Sequence, residues 1–362
     1  MKRLHFLCIS LLAGNALANP VNDGPYVFHN NEGATAHWLC AGDRIIERIA
    51  TDRQMKVPCG DIKPTTLYAD LPEGVDEAAQ PERWAAISDM HGQYDLTVQL
   101  LKAQGIIDSQ LNWAYGRGVL VIPGDIFDRG DKVNELLWLV YRLEQQARQA
   151  GGAVHFLLGN HEYMVMQGDL RYINPTYQRA SSWLGRRYDQ LYGPDSEMGR
   201  WLRRKATVLK LGDTLFVHGG LARWVSAQDT NLSSINRRYR ETLDWPTPQR
   251  RDTPDVKRLY SGTESPIWHR GYIDSPRAAM SDVEAVLRRY GAQRIVVGHT
   301  TLKQIKSLYQ GKVIGIDCGI KNGESAQLLR WENHQLSVGD QHGSRTLLPA
   351  GKDDGSTELE KD

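Results

Sequence analysis

The chain has 362 residues, of which 24% are charged, and a formal net charge of +1. That length buries a sizeable core and suits one large α/β domain with additions, or two ordinary domains. Near-neutrality argues against a protein that wraps a polyanion through a basic surface field, so no nucleic-acid partner is expected.

The first residues, "MKRLHFLCISLLAGNALANP", join a Lys2-Arg3 start to a short apolar stretch and the small-residue site Ala16-Leu17-Ala18. This pattern predicts a secretory signal over residues 1–18, cut near Ala18, and a periplasmic or secreted mature protein. A membrane anchor needs about 20 apolar residues. This stretch is shorter and carries His5 and Asn15, and no later segment could span a bilayer. Removal of the signal leaves Cys40, Cys59 and Cys318. In an oxidising compartment Cys40 with Cys59 is the natural disulfide and Cys318 a small buried residue; the alternative is three unpaired thiols.

Residues 19–80 contain short apolar pieces and end in the acidic, proline-bearing "PEGVDEAAQPER", predicting a small β-rich extension and a linker. From Trp84 the texture changes. "WAAIS", "VLVIP" and "AVHFLLG" read as strands, separated by the helices "YDLTVQLLKAQG" and "KVNELLWLVYRLEQQARQAGG". Strands alternating with such helices predict right-handed crossovers and a largely parallel sheet. Residues 163–205 look helical and rich in aromatic and basic residues, their arginines either bordering a phosphopeptide or nucleotide groove or forming a solvated face paired with acids. Residues 221–290 read as irregular because of Pro246, Pro248, Pro254, Pro266 and Pro276, up to the helix "SDVEAVLRRYG". A hairpin over residues 331–348 and a disordered tail over 349–362 complete the reading.

Every strand-end loop of the central region carries a possible metal ligand. Asp89 and His91 lie in "SDMHG", Asp125, Asp128 and Arg129 in "GDIFDRG", Asn160 and His161 in "GNHE", His218 in "VHGG" and His299 in "GHT". Loops beyond the carboxyl ends of strands are where α/β sheets bind ligands, and five of them are expected to converge on one sheet edge. The set of carboxylates, an amide and imidazoles suits manganese, iron or zinc, whereas calcium prefers oxygen cages and structural zinc prefers thiolates. It also exceeds what one ion needs, so two divalent metal ions sharing a carboxylate are expected. Asp317, at the end of "IDCG", either supports the site from behind or is a buried turn acid.

The ordered set "SDMHG", "GDIFDRG", "GNHE", "HGG", "GHT" resembles the calcineurin-like metallophosphoesterases, in particular their phosphoprotein phosphatase branch. With the exported start and "SPIWHRGY" it is most similar to the bacterial Shewanella-like phosphatases. The resemblance implies an α/β metallophosphoesterase β-sandwich, with βαβ units flanked by helices in four αββα layers, over residues 81–330. It assigns Asp89 and His91 to one metal, Asp125 as the bridge, and Asn160, His218 and His299 to the second. Arg129 and Arg270 would grip phosphoryl oxygens, which a planar bidentate fork suits. His161 would protonate the leaving oxygen with Asp128 on its other nitrogen. Asn160 and Tyr163 are expected to contact substrate, and Tyr163 and Met164, on backbone pinned by Asn160, to line the cleft. Ser88 stands where the family usually has glycine, and Phe127, expected as an apolar residue beside the site, where a shorter aliphatic is common.

The expected function is phosphomonoester hydrolysis by metal-activated water, with phosphoprotein or phosphopeptide as partner and phosphotyrosine favoured by the resemblance. The alternatives are hydrolysis of dinucleoside polyphosphates or other small phosphoesters, and a silent phosphate-binding protein. Thiol-based phosphatase chemistry is excluded, because no cysteine is followed six positions on by arginine. No oligomeric state is implied.

Overall fold

The computed structural model describes residues 22–227, 230–353 and 355. The predicted signal over residues 1–18 lies outside the described residues. Two six-stranded sheets form the body. In one, Arg83–Ala86, Val119–Ile122 and Ala153–Phe156 pair in parallel, as their apolar runs and intervening helices require. The sheet is mixed, because Gln327–Glu332 pairs antiparallel with Arg83–Ala86 and continues into Gln335–Asp340 and Arg345–Leu347. The C-terminal hairpin is therefore an integral part of this sheet.

The second sheet runs Lys306–Leu308, Val313–Gly315, Arg294–Val297, Thr214–Val217, Val208–Leu211 and Glu77–Ala78. Its inner face meets the first sheet's, with Trp84 and Phe216 edge to face at 5.2 Å. Helices Tyr94–Ala103 and Val133–Gln149 make the crossovers of the first sheet. The latter buries Val133, Leu136, Leu137, Val140, Tyr141 and Ala147 along its helical stripe. The expected α/β sandwich is thus present.

The extension forms a three-stranded meander, Asp23–Asn30, Gly33–Cys40 and Asp43–Ile49. It docks where the Trp138 indole donates to the Pro25 carbonyl at 3.0 Å and where Tyr26 meets Tyr192 edge to face. A disulfide joins Cys40 to Cys59, and Cys318 is the buried free thiol. The expected boundary at residue 80 moves, because Glu77–Ala78 already pairs with Val208–Leu211 in the second sheet.

Two other expectations are corrected. The proline-rich stretch after residue 221 is helical in pieces, Leu232–Thr242, Thr247–Asp252 and Pro254–Tyr260. In the latter two the proline stands at the first helical turn, where its missing N–H costs nothing. The tail does not begin at 349: Asp353 forms a 2.8 Å ion pair with the buried Arg277 and accepts from the Tyr309 amide.

Candidate active site

The ligand-bearing loops meet in a crevice between the two sheets, and not along one sheet edge. Asp89, His91, Asp125, Asn160 and His161 follow strands of the first sheet, and His218 and His299 follow strands of the second. Stacking puts the carboxyl ends of both sets on the same rim, so each sheet supplies part of the site.

Asp125 is the centre. Its carboxylate lies 3.2 Å from His218 Nε2, 3.6 Å from His91 Nε2 and 3.9 Å from His161 Nε2. Two buried groups have ligand atoms within 4.8 Å of one another: His91, Asp125 and His161, and Asp125, His218 and His299. The Asn160 side-chain oxygen is 2.8 Å from His218 Nε2. Asp89 belongs to neither group; its carboxylate accepts the His299 amide at 3.0 Å. Two imidazoles are oriented from behind, His91 Nδ1 by the Phe127 carbonyl at 2.7 Å and His218 Nδ1 by the Pro123 carbonyl at 3.0 Å. Such backing fixes the tautomer and points Nε2 inward.

The backbone is unusual here. Asp89, His91, Asp125, Asp128, Arg129 and His299 all adopt left-handed φ between 44° and 72°. Residues other than glycine do so at a cost, and such conformations gather at functional sites where surrounding bonds hold them. The holder is Glu162, which sequence reasoning passed over. Its buried carboxylate accepts the amides of Asp125 at 2.9 Å, Ile126 at 2.7 Å, Phe127 at 3.3 Å and Gly159 at 2.7 Å. The available signal was its place three residues after Gly159, the acid position of a helix-start motif. Gly159 itself has no room for a side chain, since a Cβ would fall 2.3 Å from Asp125 Oδ1.

Electrostatics mark the same centre. Burial raises the Asp125 carboxyl, but the imidazoles of His218, His161 and His91 outweigh it and hold Asp125 well below its ordinary range. Burial lowers His218, and Asp125 and Asp89 overcome this to bring it up to about 9. Burial alone dominates His91, at about 3. Burial, reinforced by Asp317, raises Asp89.

The His299 Nε2 atom is buried with no hydrogen-bond partner among the described residues, and so is Asp128 Oδ1. An orphaned imidazole nitrogen beside a shared carboxylate, in an all-oxygen-and-nitrogen donor set, fits a pair of divalent cations.

His161 Nδ1 is 2.5 Å from Asp128 Oδ2, and its amide donates to Asp125 Oδ1 at 3.1 Å. Arg129 and Arg270 stand exposed at the mouth. Arg270 donates to the His299 carbonyl at 2.9 Å, and the Arg129 guanidinium lies 5.3 Å from the Tyr172 ring centroid. Asp317, 1% exposed, accepts from Thr301 Oγ1 at 2.7 Å and the Gly319 amide at 3.0 Å while its charge bears on Asp89. It serves both as turn acid and as a neighbour behind the ligands.

A family model described as calcineurin-like phosphoesterase matches residues 83–301. The chain belongs to that family. A solved cold-active protein-tyrosine phosphatase of a psychrophilic Shewanella species is 40% identical, with a TM-score of 0.87 over 91% of this chain and 99% of its own. Shewanella-like protein phosphatase 2 of Arabidopsis thaliana is 28% identical over 67% of this chain and 73% of its own. An uncharacterized Schizosaccharomyces pombe protein is 31% identical over 70% of this chain and 78% of its own. The phosphoesterase is a metal-dependent phosphatase related to the Shewanella-like protein phosphatases.

Two placements in this phosphoesterase differ from expectation. Tyr163 does not line the cleft: it is 3% exposed, stacked on Tyr239 at 5.0 Å, with its hydroxyl 2.6 Å from Thr207 Oγ1. A tyrosine that finds both an aromatic neighbour and a polar partner inside is better buried than wet. Phe127 turns its ring into the core against Tyr192 at 4.7 Å and serves the site through its main chain, the carbonyl on His91 and the amide on Glu162. The arginine-rich segment is largely paired with acids, Arg171 with Asp169, Arg186 with Asp195, Arg187 with Asp189 and Arg203 with Asp244. Among the described residues of that segment, two reach the site: the Tyr172 ring lies 5.4 Å from the His161 ring, and the buried Met164 sulfur lies 3.8 Å from the Asn160 side-chain nitrogen.

Proposed function

We propose that the protein is an exported two-metal phosphomonoesterase acting on phosphoprotein, with phosphotyrosine favoured. The observation that carries this reading is the Asp125 carboxylate shared between two three-residue groups at the seam of two sheets. Asp89, His91, Asp125, Asn160, His218 and His299 would hold the cations, with His161 close enough to join the first group. Divalent cations such as manganese, iron or zinc supply, when bound, a lowered pKa for the attacking water and neutralisation of phosphoryl charge.

The chain's own groups do the rest. Arg129 and Arg270 bind the outer phosphoryl oxygens, and their placement at the mouth orients the ester with its leaving group toward His161. Burial lowers the His161 imidazole, but Asp125 and Asp128 raise it beyond that, which favours its protonated form. As water adds to phosphorus and the ester P–O bond breaks, His161 gives that proton to the departing oxygen. Asp128 holds the ring on its far nitrogen throughout.

Preference for phosphotyrosine is supported by the 40% identical structure, which is described as a protein-tyrosine phosphatase. Export is supported by the signal pattern of residues 1–18 and by the Cys40–Cys59 disulfide, which persists in oxidising compartments.

The test is hydrolysis of p-nitrophenyl phosphate and of matched phosphotyrosine and phosphoserine peptides after chelation and after return of Mn²⁺. Restored cleavage that Asp125→Asn abolishes is expected. Cleavage that survives exhaustive chelation overturns the two-metal reading. A diadenosine tetraphosphate rate above every peptide rate replaces phosphoprotein with nucleotide as substrate.

A further inference from the structure

We propose that Tyr172 is the residue by which this site favours aryl over alkyl phosphomonoesters. Its ring is the wall on which the phenyl group of a phosphotyrosine lies while His161 addresses the ester oxygen. The inference rests on the phosphotyrosine reading above and supplies its structural cause.

Tyr172 is 42% exposed, whereas the His161 beside it is 6% exposed. A leaving oxygen within reach of His161 therefore places the atoms beyond it next to the Tyr172 ring, which is tilted 50° to the imidazole. Aromatic rings attract at centroid separations of about 4.5–7 Å. A phenyl group fills that space, and the single methylene of a seryl ester is too short to cover the wall.

The wall is preorganised. The Arg129 amide donates to the Tyr172 carbonyl at 2.9 Å, and the Asn174 side-chain amide donates to the Arg129 carbonyl at 2.9 Å. The segment carrying the ring is thus tied to the residue that grips phosphate, so phosphoryl binding and ring placement share one register. Guanidinium groups of Arg129 and Arg171 lie 5.3 Å and 5.5 Å from the ring centroid. Both tethers to Arg129 are made by groups other than the Tyr172 side chain, so a substitution there keeps them.

The experiment measures kcat/KM of the metal-loaded protein on phosphotyrosine and phosphoserine peptides of one sequence, for wild type, Tyr172→Ala and Tyr172→Phe. Tyr172→Ala is expected to lower the tyrosine-to-serine ratio roughly three- to tenfold, the size of one aromatic pair. Tyr172→Phe is expected to keep it. A ratio unchanged in Tyr172→Ala, including equal losses on both peptides, overturns the inference and leaves the phosphotyrosine reading standing. A wild-type ratio below one overturns that reading and this inference with it. A ratio that falls as far in Tyr172→Phe as in Tyr172→Ala assigns the effect to the hydroxyl and overturns the stacking account.

Discussion

His161 and Asp128 form a pair whose value depends on the leaving group. A phenolate, with a parent pKa near 10, departs with little help, whereas a seryl alkoxide is far more basic and needs its proton in the transition state. His161→Asn is therefore expected to cut kcat on a phosphoserine peptide by about 10²–10⁴-fold and on p-nitrophenyl phosphate by much less. Equal losses on the two would deny His161 the role of acid and favour its membership of the His91 and Asp125 group. These residues were legible in the sequence because each sits immediately after an apolar run, where charge has no structural reason to gather. Glu162 was harder to read, since a lone acid beside a named motif looks like part of it, and its role appears only once four amides point at one carboxylate. Tyr172 carried no signal at all. Its place is set by a main-chain bond to Arg129, forty-three positions away in the chain, which spacing does not reveal.

At the scale of elements, the strands and crossover helices followed their patterns closely, and the loops did not. Left-handed residues at Asp89, His91, Asp125, Asp128, Arg129 and His299 have no propensity signature, because the tertiary hydrogen bonds that hold them come from distant parts of the chain. Glu162→Ala removes the acceptor of the Asp125 loop amides and is expected to weaken Mn²⁺ binding by about 10–100-fold, as losses of supporting bonds behind metal ligands do. Direct metal titration checks this; unchanged affinity would mean the loop holds its shape without the clamp. Prolines misled the reading of residues 221–290 because a proline ends a helix only from its interior, and Pro248 and Pro254 stand at helix starts. In the extension, the Cys40–Cys59 bridge closes a separation of 19 residues. A loop of that size contributes about 3 kcal/mol by chain entropy. Cys40→Ser with Cys59→Ser is expected to lower the melting temperature by several degrees, read by calorimetry in the absence of reductant.

At the scale of the whole molecule, the docking of the N-terminal meander onto the body is coupled to pH through Asp23, which accepts from Asn134 of the crossover helix. Burial raises Asp23 from 3.8 to about 6, against hydrogen bonds from Tyr26, the Gly24 amide and Asn134 that oppose it. The folded form thus holds a proton that the unfolded chain has lost, so this group favours the fold on the acid side. Its contribution fades as pH rises from about 4 through 6, by about 3 kcal/mol. The melting-temperature difference between Asp23→Asn and wild type is expected to move in favour of the variant across that window; a difference independent of pH would place the titration elsewhere. The sandwich as a whole was legible through the resemblance, whereas the residues alone suggested a single parallel sheet. Apolar strand runs say nothing of which sheet a strand joins.

That division has a mechanical side. His91 and Asp125 hang from one sheet and His218 and His299 from the other, so the cations proposed to bind among them would act as a clasp across the seam of the sandwich. Sliding of either sheet past its neighbour would tear ligands from the ions. Loading should therefore raise the force needed to shear the two layers apart in single-molecule pulling, and His299→Ala should return the loaded protein to the unclasped value. The same ions that serve the reaction would then make one mechanical unit out of two layers.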